Sequence, residues 1–207
     1  MKRVFRILCG CLPVVLCLFQ FGCRPSAPEL EDVYDRLVEK IEAAVDVNTV
    51  AFGVGLPVYA RGSDEDVLVH RYYGVSDDSS EFVMPYARYA TCDEIEQAIR
   101  SVYSTAYADS LCSSLLTGYA FTEGGVVVPA RYLEDSGSLR QSNRVSPTVT
   151  GTRIFDYDSM EIQPDSLRDY LHVTVRSRTD ASGSEWKTTN LYFVLQNGEW
   201  FLNGPSC

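Results

Sequence analysis

The strongest constraint on the fold is an alternation of apolar and polar residues near the end of the chain. Every second residue is apolar from Leu171 to Arg176, and the alternation returns from Thr189 to Gln196. A period of two predicts β-strands that bury one face. The dipeptide Asn197-Gly198 then supplies both positive-φ positions of a type I′ turn, so it predicts a hairpin to a further strand.

The rest of the second half also has the composition of a sheet. Strands are expected at VVVPARYL (126–133), Val149–Tyr157, Tyr170–Arg178, Lys187–Gln196 and Glu199–Leu202, with a longer hairpin loop at 179–185. Because helices are predicted before these strands, the order is typical of an α+β fold. We therefore predict N-terminal helices packed in a curved antiparallel sheet.

The first predicted helix runs from about 27 to 45. Its apolar residues recur at three- and four-residue spacing, and Ser26 with Glu29 forms a candidate capping box. After it, GLPVYA (55–60) and VLVHRYYGV (67–75) are rich in β-branched and aromatic residues. They predict two strands, with RGSDED (61–66) as the turn between them.

Two further helices are predicted in tandem between Thr91 and Leu116. Thr91 and Glu94 form a capping box at the start of the first, and Ser104 or Thr105 caps the second. Gly118 is placed to end the pair in a left-handed conformation.

The chain starts with a basic segment and an apolar run. Lys2, Arg3 and Arg6 precede or border the run Ile7–Phe21, which contains no charged residue. This order is the pattern of a secretory signal, and the run is shorter than the ~20 residues that span a bilayer as a helix. We therefore expect residues 1–22 to direct the rest of the chain out of the cytoplasm.

The junction Gly22-Cys23, which a polar proline-containing segment follows, resembles the lipobox of bacterial lipoproteins. The resemblance implies that Cys23 carries lipid and becomes the mature N-terminus on the extracytoplasmic face of the cell membrane. The leucine usual three residues before the cysteine is Gln20 here. Two alternatives stay open: a junction at 8–11 (LCGC), which leaves almost no apolar run before it, and an uncleaved membrane anchor.

On this prediction residues 23–28 are a lipidated N-terminus with a short tether, and residues 29–207 are one domain. Without residues 1–22 the chain keeps 15 basic and all 28 acidic residues, so its net charge is −13. An acidic domain is repelled by nucleic acid and anionic headgroups, so nucleic-acid binding is not expected. The acids suit a basic protein partner or a cation, although solubility alone accounts for them.

Seven cysteines do not make a disulfide framework here. Three lie in the predicted signal and Cys23 is assigned to lipid, so only Cys92, Cys112 and Cys207 remain. At most one bridge can form among three cysteines. A Cys92–Cys112 bridge would close a loop of about 20 residues, worth about 3 kcal/mol. All three could equally be small buried apolar residues.

Motifs for catalysis or cofactor binding are absent from the sequence. Two histidines and no HxxxH or CxxC argue against a zinc site, and no GxSxG, SxxK or phosphate loop occurs. We expect no metal and no cofactor. The helix dipole would lower the pKa of a thiol at Cys92, but Asp93 and Glu94 oppose that effect. His172 is either a solvent-facing strand residue or a catalytic base beside a carboxylate in a pocket.

Two groups of residues, a run of carboxylates and a set of tyrosines, are close together in the sequence, and neither indicates catalysis. The carboxylates from Asp156 to Glu161 lack the glycine and ligand spacing of a calcium loop. The tyrosines Tyr72, Tyr73, Tyr86 and Tyr89 either belong to a protein interface or fill the core.

Two segments carry a family resemblance. The pattern Tyr…DEIEQAI…VYS…Y…L between Pro85 and Leu115, with the ending EWKTTNLYFVLQNGEWFLNGP, resembles small extracytoplasmic lipoproteins of Gram-positive bacteria. It is similar to the inhibitor family of cell-wall DL-endopeptidases. The final hairpin, with Trp200 after Asn-Gly, looks like cystatin-like and nuclear-transport-factor-like domains.

The resemblance implies a curved sheet cradling helices, and either a protein-binding surface or a pocket. In the inhibitor family an acidic loop is thought to block a cysteine peptidase. The acidic loops here are 64–66, Asp77-Asp78 and 156–169.

The leading hypothesis from the sequence is a non-enzymatic, membrane-tethered module that binds an envelope protein, with a cell-wall peptidoglycan hydrolase as the candidate partner. Two alternatives remain open. One is an enzyme of the cone-shaped fold with His172 and an acid in its pocket, and the other is a lipoprotein that binds a small molecule.

Overall fold

The structure, a computed structural model, describes residues 26–73, 79–121, 126–135, 137–180 and 185–206. The helices within these ranges are α1 (Leu30–Ala51), α2 (Asp64–Tyr73), α3 (Cys92–Val102) and α4 (Thr105–Cys112), and a π-helical turn at Ser113–Thr117 follows α4. The strands are β1 (Ser80–Phe82), β2 (Tyr119–Phe121), β3 (Val126–Val128), β4 (Tyr132–Asp135), β5 (Ser138–Ser142), β6 (Arg153–Ile162), β7 (Tyr170–Thr179), β8 (Lys187–Gln196) and β9 (Glu199–Leu202).

The largest sheet is antiparallel and has the strand order β6-β7-β8-β9. Leu171 pairs with Phe193 and Val173 with Leu191, and all four side chains are buried. At the β8–β9 turn, Asn197 and Gly198 have φ angles of 54° and 86°, as a type I′ turn requires. The three C-terminal strands therefore form as the alternation and the Asn-Gly pair predict.

Strand β6 differs from the expected 149–157. It starts at Arg153 and continues to Ile162, because a register shift between Asp156 and Glu161 accommodates the polar residues where we expected the strand to end. A β-bulge of this kind leaves extra residues unpaired without ending the strand.

Helix α1 packs on this sheet. Val33, Leu37, Ile41 and Ala44 are at most 2 % exposed. The predicted boundaries of 27–45 were wrong at both ends. The N-cap is Glu29, which makes no capping hydrogen bond through its side chain, and the buried stripe continues to Val50.

Helices α3 and α4 form where the capping residues predict them. Thr91 Oγ1 accepts a hydrogen bond from Glu94 N at 3.1 Å, and Glu94 reaches back to the backbone N–H of Ala90. Ser104 caps α4, and Gly118 ends the π-helical turn with a φ of 75°.

The segment expected as strands at 55–60 and 67–75 folds differently. Residues 55–60 form no strand beyond a single antiparallel bridge between Val58 and Val83. Residues 64–73 form α2, and residues 74–75 lie outside the described ranges. Ser63 Oγ accepts from Asp66 N, while Asp66 Oδ2 accepts from Gly62 N, so the expected turn is a capping box that starts a helix.

A second antiparallel sheet has the order β1-β5-β4, and β2 pairs with β3. One cluster of buried residues joins α1, α3, α4 and both larger sheets. The predicted mixed α+β class is confirmed, whereas the cystatin-like or nuclear-transport-factor-like class stays a prediction. Among the residues that the structure describes, no helix is both long and apolar enough to cross a bilayer.

Candidate functional site

A groove of about 560 Å³ lies between α2 and the β1-β5-β4 sheet. We call it the α2 groove. Leu68, Val69, Tyr72 and Tyr73 line it from α2, while Phe82 and Leu139 line it from the sheet. Among the described residues that line it, there is no Asp, Glu, His, Cys, Lys or Arg. This described surface therefore offers apolar and aromatic contact and no pair of groups for acid–base chemistry.

Aromatic contacts hold the base of the α2 groove. Phe82 is 0 % exposed, and the Tyr73 ring stacks on it at 5.2 Å between ring centroids. His70 packs edge-on against the Phe82 ring at 4.9 Å, and the Arg140 guanidinium lies 5.0 Å from the centre of that ring. Through Tyr73 and His70, α2 thus packs on Phe82 of β1, and Arg140 of β5 lies against the same ring.

The outer edge of the groove is open to solvent. Leu68 is 60 % exposed and Tyr72 is 83 % exposed. Val67, on the same helix, and Tyr86, which follows the lining residue Pro85, are also large exposed apolar side chains. Contiguous exposed apolar side chains of this kind mark binding surfaces more often than single ones do.

The charges beneath the groove are engaged with one another. Asp66 is buried, and its Oδ1 lies 3.3 Å from His70 Nε2 in an ion-pair contact that lacks hydrogen-bond geometry. Arg140 is 3 % exposed and lies 3.6 Å from Asp135. The first contact lies within α2 and the second within the β4–β5 pair, so these groups lie apart from the apolar described lining of the groove.

The structure brings His172 together with a carboxylate, but outside the α2 groove. His172 lies on the β7 face opposite Leu171 and Val173. Its Nδ1 is 2.9 Å from Asp165 Oδ1, its Nε2 is 2.9 Å from Asn190 Oδ1, and its ring stacks on Tyr192. The hydrogen bond with Asn190, and then the bond with Asp165 and its charge, raise the pKa of His172 against the opposing effect of burial.

This arrangement does not resemble the pocket that the enzyme hypothesis requires. Asp165 is 66 % exposed, and neither it nor His172 lines the groove. Both ring nitrogens of His172 already have partners, so His172 could accept a substrate proton only after one of these bonds breaks.

Cys92 and Cys112 are both free thiols, so the bridge that the sequence allowed as one possibility is not formed in the structure. Burial, and then Glu134 and Asp93, raise the pKa of Cys92 to about 11. Burial also raises the pKa of Cys112, and the charges that act on it belong to Glu96, Arg100 and Asp109. Glu96 and Arg100 belong to α3 and follow its first turn, so Cys112 lies near that part of α3. Cys92 is the first residue of the same helix.

Three predicted features lie outside the described residues, namely Cys23, Cys207 and the loop Asp77-Asp78. Of the other acidic loops, 64–66 is the first turn of α2, and 156–169 belongs to β6 and the turn that follows it. Neither projects as a free acidic loop.

The tyrosine cluster was the part of the sequence that pointed toward the groove. Tyr72 and Tyr73 line it, Tyr86 is exposed, and Tyr89 is half-buried, with its pKa raised by burial. Sequence reasoning missed Leu68 and Leu139. The signal that could have found Leu68 is the capping box Ser63–Asp66, which makes the following apolar residues helical.

Comparison with protein-family models, with curated proteins and with solved structures finds no match to this chain in any of the three.

Proposed function

We propose that this chain is a membrane-anchored, extracytoplasmic binding module without catalytic activity. The observation that carries the proposal is the α2 groove, which is apolar and open along α2, and whose described lining residues contain no titratable group other than tyrosine. Cys23 is the proposed point of lipid attachment. The groove binds a segment of a second envelope protein, and the candidate partner is a cell-wall peptidoglycan hydrolase that the module inhibits or modulates.

The chemistry of the surface indicates the kind of segment that fits. An apolar or aromatic anchor of the partner would contact Leu68 and Tyr72, whose exposed area would be desolvated, and such area dominates binding energy. The surrounding chain has a net charge of −13 after residue 22, so basic residues beside that anchor would be attracted. This is the proposed basis of specificity.

The volume of the groove also supports a second candidate function. About 560 Å³ falls within the range of small-molecule pockets, roughly 300–1,000 Å³. A single apolar small molecule could therefore occupy the same surface. The enzymatic alternative has less support, because the His172–Asp165 pair lies on the exposed face of the sheet.

Leu68→Ser tests the groove against a matched control. Leu68 and Val54 are both strongly exposed apolar residues, at 60 % and 71 %, but Val54 does not line the groove. Residues 24–207 would be titrated with a purified DL-endopeptidase, and both binding and peptidoglycan hydrolysis would be measured. Leu68→Ser should weaken binding about tenfold, or ~1.4 kcal/mol, while Val54→Ser stays near wild type.

The two candidate functions give different outcomes. Suppression of hydrolysis at near-stoichiometric ratio, lost in Leu68→Ser alone, supports the inhibitor proposal. If the protein neither binds the enzyme nor slows it, that proposal is wrong. Saturable uptake of an apolar dye that Leu68→Ser weakens would then support small-molecule binding.

A further inference from the structure

A second concave surface lies where the described chain begins. It is lined by residues 26–29, by Asp32 and Arg36 in the first turns of α1, by Arg168 after β6, and by Gly198 in the β8–β9 turn. We call it the N-terminal cleft. Its volume is about 640 Å³, and its floor is formed by Val33, Leu195 and Trp200.

The length of chain before this cleft limits what can cover it. Cys23 precedes Ser26 by three residues, and the apolar run Ile7–Phe21 ends five residues before Ser26. Because a chain extends at most ~3.6 Å per residue, Cys23 lies within about 11 Å of Ser26 and Phe21 within about 18 Å. Whether lipid on Cys23 or an uncleaved apolar segment anchors the protein, the bilayer surface comes close to this cleft.

The charges around the cleft match one class of lipid. Glu29 and Asp32 are exposed carboxylates, and Arg36 and Arg168 are exposed guanidinium groups. Carboxylates pair with the ammonium of a zwitterionic headgroup, and arginines bind its phosphate. An anionic headgroup has no ammonium group to pair with Glu29 and Asp32. The net charge of −13 on the chain after residue 22 also repels such a headgroup.

The α2 groove lies beyond the opposite end of α1. This helix has 22 residues and is therefore about 33 Å long. Past its C-terminal end, Arg131 donates to Gly53 O, and Gln141 Oε1 accepts from Leu56 N, which joins α1 to the β1-β5-β4 sheet. Since that sheet forms one wall of the groove, α1 separates the groove from the N-terminal cleft.

We propose that the N-terminal cleft docks on zwitterionic phospholipid headgroups, and that α1 thereby holds the α2 groove away from the bilayer. The partner in the groove is then a segment that comes from outside the membrane, such as a wall-associated protein, and neither a lipid nor a membrane-embedded chain. This inference rests on the proposed membrane attachment, and its last step rests on the proposed binding role of the groove.

The test measures the height of labelled positions above a membrane. Full-length protein would be reconstituted in vesicles of phosphatidylethanolamine and phosphatidylcholine that carry a headgroup-attached quencher. A clickable unnatural amino acid would introduce one fluorophore at residue 31, 39 or 72, which are exposed positions at the start of α1, further along α1 and on the groove. We expect strong quenching at 31, weaker quenching at 39 and loss of quenching at 72.

Variants and lipid composition test the docking chemistry. Arg36→Gln with Arg168→Gln should flatten the gradient, whereas Arg144→Gln, an exposed arginine outside the cleft, should leave it unchanged. Replacing the zwitterionic lipids by phosphatidylglycerol should also flatten it. Equal quenching at 31 and 72 in zwitterionic vesicles, or a gradient insensitive to the double variant, would overturn the docking proposal.

Separate measurements distinguish this failure from failure of the proposed function. Flotation with vesicles reports attachment alone, so a chain that does not float overturns both the attachment and the docking. Binding of a soluble hydrolase to the groove is measured without vesicles. A flat gradient beside intact binding and flotation refutes only the orientation.

Discussion

A buried arginine donates a hydrogen bond to the backbone just past the C-terminal end of α1. Arg131 is 2 % exposed, and its Nη2 donates to Gly53 O at 2.5 Å. The last turn of α1 contains no basic residue. Arg131, which directly precedes β4, therefore supplies the positive charge that stabilises the C-terminal end of a helix.

Replacing Arg131 should be costly. Arg131→Ala leaves the Gly53 carbonyl without its buried donor and removes packed side-chain atoms, so we expect the free energy of unfolding to fall by about 2–4 kcal/mol. Urea denaturation measures this. Arg144→Ala, at an exposed arginine, should change the same quantity by about 0.5 kcal/mol or less. Equal small losses in both variants would contradict a structural role for the buried charge.

His172 makes stability depend on pH in a stated direction. Asn190 and Asp165 raise its pKa in the folded protein, so the folded state binds the proton more tightly than the unfolded chain does. The protonated imidazole therefore stabilises the folded protein. This stabilisation is fully present below pH 6.5, the ordinary pKa of histidine, and is lost as the pH rises through the higher pKa of His172 in the folded protein. The contribution is modest, because Asp165 is largely exposed.

A ring-proton NMR titration should place the pKa of His172 above 6.5, and Asn190→Ala should lower it. In the wild type, the free energy of unfolding should fall as the pH rises through the pKa of His172, and His172→Gln should remove this fall. Asp165→Asn is the comparison variant, because it removes the carboxylate of Asp165, which is the second residue that raises the pKa of His172. A titration midpoint that Asn190→Ala leaves in place would refute the assigned cause.

At the scale of elements, α2 is the helix whose existence most affects the candidate site. Its start depends on Ser63 Oγ, which accepts from Asp66 N at 3.1 Å. We expect Ser63→Ala to destabilise α2 by about 1 kcal/mol. Hydrogen exchange should quicken at residues 64–73, and ligand binding in the groove should weaken. Ser101→Ala, an exposed serine within α3, should change neither; faster exchange across the whole chain would instead indicate a global effect.

The same helix shows where sequence reasoning fails. Val67 to Tyr73 is a run of β-branched and aromatic residues, which favours a strand when read alone. The capping box before it, with Asp64 and Glu65 in the first turn and Arg71 in the last, outweighs that preference. The C-terminal strands were predictable because alternation and turn chemistry agree there.

The groove was not predictable, because it arises only where distant segments meet. Leu68 and Tyr72 come from α2, Phe82 from β1 and Leu139 from β5, and no local pattern pairs them. His172 and Asp165 are close in sequence, and their contact forms across the turn between β6 and β7. Local patterns thus predict elements, whereas the groove depends on how α2 packs on the β1-β5-β4 sheet.

At the scale of the whole molecule, a chain of buried hydrogen bonds connects α1 to Ser206, near the end of the described chain. The Tyr103 hydroxyl donates to Asn48 Oδ1, and Asn48 Nδ2 donates to Ser206 Oγ at 2.8 Å. Asn48→Ala leaves two buried hydroxyls without this partner, so we expect a loss of about 2–4 kcal/mol in thermal or urea unfolding. Thr49→Ala, next to it on α1, loses one partly buried bond and should cost about 1 kcal/mol. Similar losses would show that the network is not specific.

The Asn48–Ser206 bond has a consequence for how the protein is made. It joins residues 158 positions apart, and the sheet that covers α1 consists of strands that are synthesised long after that helix. In a chain that emerges N-terminus first, α3 can pack on α1 early, but the part of the apolar face of α1 that β6 and β9 cover stays exposed until those strands are made. Contacts of such sequence separation slow folding and expose intermediates to aggregation and proteolysis. A chain that stalls before β8 and β9 would leave part of the core cluster exposed, so quality control can act on such copies, whereas copies with the four-stranded sheet in place resist.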